Sequence, residues 1–162
     1  MRNTITVMNA KGGVGKSTLI LALAETLSAF HGKKILVIDS ATQTSNSHML
    51  DVDDARTIDL LPSDTNLTLF EREVSKGDRE THLRRTVGAC LREAQQTYDY
   101  VFIDSAPGLS VLTESWLREA AFYISPTRPD YISTRGLAFM RKFRQRNPEM
   151  GFAELLGVIV NM

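Results

Sequence analysis

Apolar positions along this chain fall into two alternating kinds of run. One kind is short and almost continuous: TITVMN (4–9), KILVID (34–39), RTIDLLP (56–62), YDYVFID (98–104), AFYISPT (121–127) and ELLGVIVNM (154–162). Such runs predict strands, most of them buried on both faces, with 56–62 the weakest of the six. The other kind is longer, with apolar residues spaced three and four apart, over 16–30, 79–96, 111–120 and 131–146. That spacing predicts helices, and Gly32 stands where the first of them needs a C-cap. Strand and helix alternate from end to end. The expected fold class is therefore α/β, a mostly parallel central sheet with helices on both faces in three layers. Ligands of such sheets bind at the carboxyl ends of strands, and three of the predicted strands end in Asn9, Asp39 and Asp104.

Composition narrows the picture. With 162 residues, 43% of them hydrophobic, the chain has the size and apolar content of one domain that can bury a core. Lys+Arg and Asp+Glu each total 19, so no overall field favours nucleic acid or acidic lipid, and any such surface has to be a local patch. Cys90 is the only cysteine, which excludes an internal disulfide and fits a reducing, cytoplasmic setting. No apolar run reaches membrane-spanning length, and the polar N-terminal lead is unlike a secretory signal. His31, His48 and His82 have no metal-site spacing, while Trp116 and Phe139 read as core or interface.

The chemistry concentrates in GVGKST, between the first strand and the first helix. Gly12, Gly13 and Gly15 let backbone N–H groups turn inward on an anion, and the helix adds its positive N-terminal end. In such a phosphate loop Lys16 reaches the β- and γ-phosphates and the Ser17 hydroxyl takes Mg²⁺. The usual pattern begins with glycine six positions before that lysine, where this chain has Ala10 followed by Lys11. Asp104 ends a buried strand, and holding a water on Mg²⁺ is a reason to place a lone carboxylate there.

KGGVGKST resembles the deviant Walker A box, KGG-x-GK-[ST], of the ParA/MinD group of P-loop ATPases, several of which also lack glycine before the first lysine. The resemblance runs along the whole chain. ILVID-x-x-x-Q looks like the family's second strand and switch I, YDYVFIDSAPG like its Walker B and switch II, ISPTRPDYISTRGL like the strand, loop and helix that follow, and LLGVIVNM like the strand that ends near the base. It implies ATP and Mg²⁺ as cofactors. Lys11, Gly12, Gly13, Val14, Gly15, Lys16, Ser17 and Thr18 would form the phosphate cradle, with Asn161 at the adenine edge. Ser17, Asp39 and Asp104 would serve the metal, and Gly108 would let switch II move. Lys11 would cross to the partner's phosphates in a nucleotide-sandwich homodimer.

One position departs from the family. Its switch I reads D-x-D-P-Q, and the second acid is thought to orient the attacking water; here DSATQ puts Ala41 at that place and Thr42 at the proline, while Asp39 and Gln43 match. The implied activity is ATP binding with impaired hydrolysis, through either an introduced trap of the ATP-bound dimer or a slow natural variant. The expected role is ATP-dependent positioning of plasmid, chromosome or protein cargo on the nucleoid, with a ParB-like adaptor as partner. Non-specific DNA would meet the basic helix through Arg141, Lys142, Arg144 and Arg146. An ATP-binding regulator with negligible turnover and a MinD-like membrane positioner are the alternatives. Relatives continue past the last strand, so residues 1–162 are expected to be a single ATPase domain that is compact or lacks a C-terminal strand and helices. That would leave no membrane-gripping helix.

Overall fold

The structure is a computed structural model, and it describes residues 3–41, 57–63, 66 and 79–161. Among these residues six strands form one sheet: β1 (Thr4–Val7), β2 (Ile35–Ser40), β3 (Ile58–Leu61), β4 (Tyr100–Ser105), β5 (Phe122–Thr127) and β6 (Glu154–Val160). Their order is β3-β2-β4-β1-β5-β6 and every pairing is parallel. The helices are α1 (Lys16–His31), α2 (Glu80–Thr97), α3 (Val111–Glu119) and α4 (Tyr131–Arg146), with a short 3-10 turn at Pro148–Met150. The expected α/β class, with helices on both faces, is what forms.

Alternation along the strands explains the layers. Val37 and Phe102 point with Ile20 and Ala24 of α1 into one core, whereas Leu36, Ile38 and Ile103 point with Leu83, Leu91, Trp116 and Met140 of α2, α3 and α4 into the other. The central strands β1, β2 and β4 have apolar residues buried on both faces, hence their near-continuous apolar runs. β6 differs. It reads as a buried strand in sequence, yet as the edge of the sheet it exposes Leu156 and Val160 among its side chains.

β1 stops two residues before its apolar run does, while β2 and β4 run one residue past theirs, to Ser40 and Ser105. Met8 leaves β1 but still donates its N–H to the Ile124 carbonyl at 2.9 Å, after which the chain turns into the glycine loop. Gly32 closes α1 in a left-handed conformation, its N–H reaching Ser28, as its place in the sequence predicted.

Candidate functional site

The site lies where β1, β2 and β4 end. Val7 pairs with Asp104 and Asp39 pairs with Asp104 in register, so two carboxylates from strands 65 residues apart in sequence emerge side by side. Both are buried, Asp39 to 3% exposure and Asp104 to 0%. The Ser17 hydroxyl, in the first turn of α1, donates to Asp104 Oδ2 at 2.5 Å. Asp39 Oδ1 accepts the Ala41 N–H at 3.0 Å, and Ser40 Oγ donates to the Asp104 carbonyl at 2.8 Å. Ser17, Asp39 and Asp104 thus lie together at one end of the sheet.

The loop over them has two left-handed glycines, Gly13 (φ 70°) and Gly15 (φ 89°), positions that side chains resist. Gly12 and Gly13 are exposed, Val14 is fully buried, and Thr18 faces out. Lys16 is buried beneath this loop. Among the described residues its ammonium reaches only the Lys11 carbonyl, at 3.5 Å, too long for a strong bond. Burial pushes its pKa below 10.5, with the nearby Asp104 charge pulling the other way. A desolvated cation next to inward-facing amides is a ready counter-ion for phosphate.

On the far side of the loop is an open pocket of about 210 Å³ lined by Thr18, Leu19, Ala22, Pro126, Ile159 and Asn161 among others. It is mostly apolar, as a flat ring would require. Asn161 stands at its edge, its Nδ2 3.4 Å from the Val14 carbonyl and its N–H on the Thr127 carbonyl at 2.7 Å. Among the described residues no group of three or more His, Cys, Asp or Glu side chains could hold a metal alone. One hydroxyl and two carboxylates nevertheless suit a hard cation such as Mg²⁺, which keeps much of its water and takes the rest from phosphate. The donor set fits.

Ala41 sits directly after β2, half-buried, and its carbonyl accepts from Ser63 Oγ at 2.7 Å. Thr42, Gln43 and His48 lie outside the described residues. The basic residues of α4, Arg141, Lys142, Arg144 and Arg146, are all exposed, and Arg144 also lies beside the Tyr123 hydroxyl. Phe139 is half-exposed on the same helix and stacks on Phe143, while Trp116 is core.

The sequence marks Asn9 as a strand end without its role, and gives no sign of what Gly136 and Asp130 touch. Asn9, fully buried, donates to the Pro126 carbonyl at 2.8 Å and accepts the Lys11 N–H at 2.9 Å, lashing the loop to β5. Gly136 of α4 lies so close that a Cβ there would come within 2.6 Å of Asn9 Oδ1. Asp130 caps α4 and meets the Lys11 ammonium. The only local signal for Asp130 is a D-x-x-S capping pattern ahead of a helix.

Comparison with known proteins agrees with this geometry. The family described as CobQ/CobB/MinD/ParA nucleotide binding domain matches residues 5–162. A "ParA family protein" of Chlamydia trachomatis is 30% identical, over 98% of this chain and 71% of its own length. Among solved structures, cobyrinic acid a,c-diamide synthase of Mycobacterium smegmatis, bound to an ATP analogue and magnesium, has a TM-score of 0.82 at 23% identity, over 99% of this chain and 75% of its own. That likeness speaks for the fold alone. A plasmid partition protein of Borrelia burgdorferi bound to AMPPNP has a TM-score of 0.75 at 26% identity, covering 97% of this chain and 75% of that one.

Proposed function

The chain belongs to the CobQ/CobB/MinD/ParA nucleotide-binding family, and from that premise we propose that it is a ParA-like ATPase used as a dimerisation switch for positioning cargo. The observation that carries this reading is the convergence of Lys16, Ser17, Asp39 and Asp104 under a glycine loop whose rim holds a second lysine, Lys11. Lys16 and the loop amides of Gly12, Gly13, Val14, Gly15 and Thr18 hold the phosphates of ATP. Ser17 offers its hydroxyl to Mg²⁺, and Asp39 and Asp104 order the waters of that ion. When bound, the ion offsets charge that builds as the terminal phosphoryl group is lost. The apolar pocket takes the base, with Asn161 at its edge. Lys11 serves the facing chain, as an arginine finger does elsewhere.

Ala41 gives the switch its character. A methyl group can neither accept a proton nor hold a water in line, so the cycle stalls after assembly. A hydrolysis-deficient, ATP-trapped dimer follows, and a regulator whose bound state alone signals is the second reading that Ala41 favours. The further partners proposed are an adaptor of the ParB kind and non-specific DNA, the latter met by Arg141, Lys142, Arg144 and Arg146 through salt-sensitive phosphate contacts. The setting proposed is the cytoplasm, at the nucleoid. Among the described residues no helix is long and apolar enough to cross a membrane.

Phosphate release tests the assignment of residue 41. The chain as it stands is expected to turn over ATP at least about tenfold more slowly than Ala41→Asp, the size of effect that a positioned base supplies. Equal rates in the two proteins would remove Ala41 from the mechanism and leave plain nucleotide binding.

A further inference from the structure

Lys11 is not loose at the rim of its loop. Its ammonium lies 3.3 and 3.2 Å from the two carboxylate oxygens of Asp130, and 3.3 Å from Oγ of Ser133. These partners are the N-cap and a first-turn residue of α4 of the same chain, about 120 residues downstream. Asp130 is fixed independently of Lys11: as N-cap of α4 it accepts the Ser133 N–H at 2.7 Å. Bonds from Ser133 and from Lys11 hold its carboxyl at a pKa of about 2, so it is a carboxylate at every working pH. The Lys11 backbone is fixed as well, through Asn9 to β5. The fold therefore presets the Lys11 backbone and the Asp130 carboxylate, so forming the pair has to order only the Lys11 side chain.

A lysine cannot sit on its own α4 and on a partner's phosphates at once. We propose that Asp130 is a positioning residue that keeps Lys11 in cis in the single chain, so that dimer assembly has to break this pair. The proposal rests on the sandwich-dimer reading above. The competing anion is the polyphosphate held by the facing chain, which carries more charge than one carboxylate. Asp130 is not stranded when Lys11 leaves, because it keeps its cap bond to Ser133 and has Arg128 Nε at 4.0 Å. The pair thus sets a threshold: it withholds Lys11 from stray anions and releases it to a correctly loaded partner.

The test is Asp130→Asn. Asparagine caps helices about as well as aspartate, so α4 is kept while the charge is lost. In a concentration series with saturating ATP and Mg²⁺, the dimerisation midpoint is expected to fall by about threefold to tenfold, the range for a partly exposed, multiply bonded ion pair. A merely structural role would not move a second readout, the NMR resonance of the ¹³C-dimethylated Lys11 side chain in the nucleotide-free monomer. That resonance is expected to shift towards an exposed lysine's in the variant. Weaker or unchanged dimerisation, or an unmoved Lys11 signal, overturns the proposal. If the parent chain stays monomeric while its Lys11 signal does shift in the variant, the cis pair is real but the sandwich reading has failed, and the proposed threshold fails with it.

Discussion

Lys16 and Lys11 are two cations of one loop with opposite solvation. Lys16 is 8% exposed, and burial lowers its pKa from 10.5 against the pull of Asp104. The unfolded chain therefore holds the Lys16 proton to higher pH than the folded chain does. Between the folded pKa and 10.5 the unfolded state binds more protons, so stability rises with pH through that window. Urea unfolding of the nucleotide-free protein, compared with Lys16→Gln, is expected to show the parent gaining on the variant as pH climbs towards 10.5. Saturating ATP should remove the gain, because phosphate oxygens favour the charged ammonium. Parallel stability curves for the two proteins would mean that Lys16 is not under a desolvation penalty. Lys11 is instead partly exposed and paired with Asp130.

Elements matter here through how closely they approach. The loop, β5 and α4 are joined at Asn9 and Gly136. In an exposed helix Gly→Ala stabilises by about 1 kcal/mol. At Gly136 the added Cβ would lie 2.6 Å from Asn9 Oδ1, and that amide is held at both ends and cannot step aside. Gly136→Ala is expected to destabilise by about 1–3 kcal/mol in chemical denaturation, an overpacking cost that exceeds the propensity gain. A stabilised variant would show that the loop and α4 are not rigidly coupled. Such couplings mark where sequence reading stops. The elements themselves were legible, since apolar period and glycine placement are local: the six runs are the six strands, and Gly32 is the cap. Lys16, Ser17, Asp39 and Asp104 were legible because a loop and two strand ends announce them. The strand order was not legible, because parallel pairing leaves no local mark, and it is this order that brings Asp39 beside Asp104. The cis partner of Lys11 was hidden for the same reason. The exposure of β6 was hidden too, because an apolar strand reads alike whether or not it is covered.

At the scale of the whole molecule the charge is balanced, and nothing in it drives two chains together or apart at long range. On the proposed function, association comes from the site itself: the loop, the rim lysine and a nucleotide whose terminal phosphate reaches the facing chain. ATP and ADP differ by that one group. Molar mass by light scattering, with ATP and Mg²⁺ and then with ADP and Mg²⁺, for the parent chain and for Lys11→Ala, tests this directly. The account predicts twice the mass of one chain for the parent with ATP only, and a single chain's mass for Lys11→Ala with either nucleotide. A parent that remains a single chain with ATP, or a Lys11→Ala protein that pairs as well as the parent does, would contradict it.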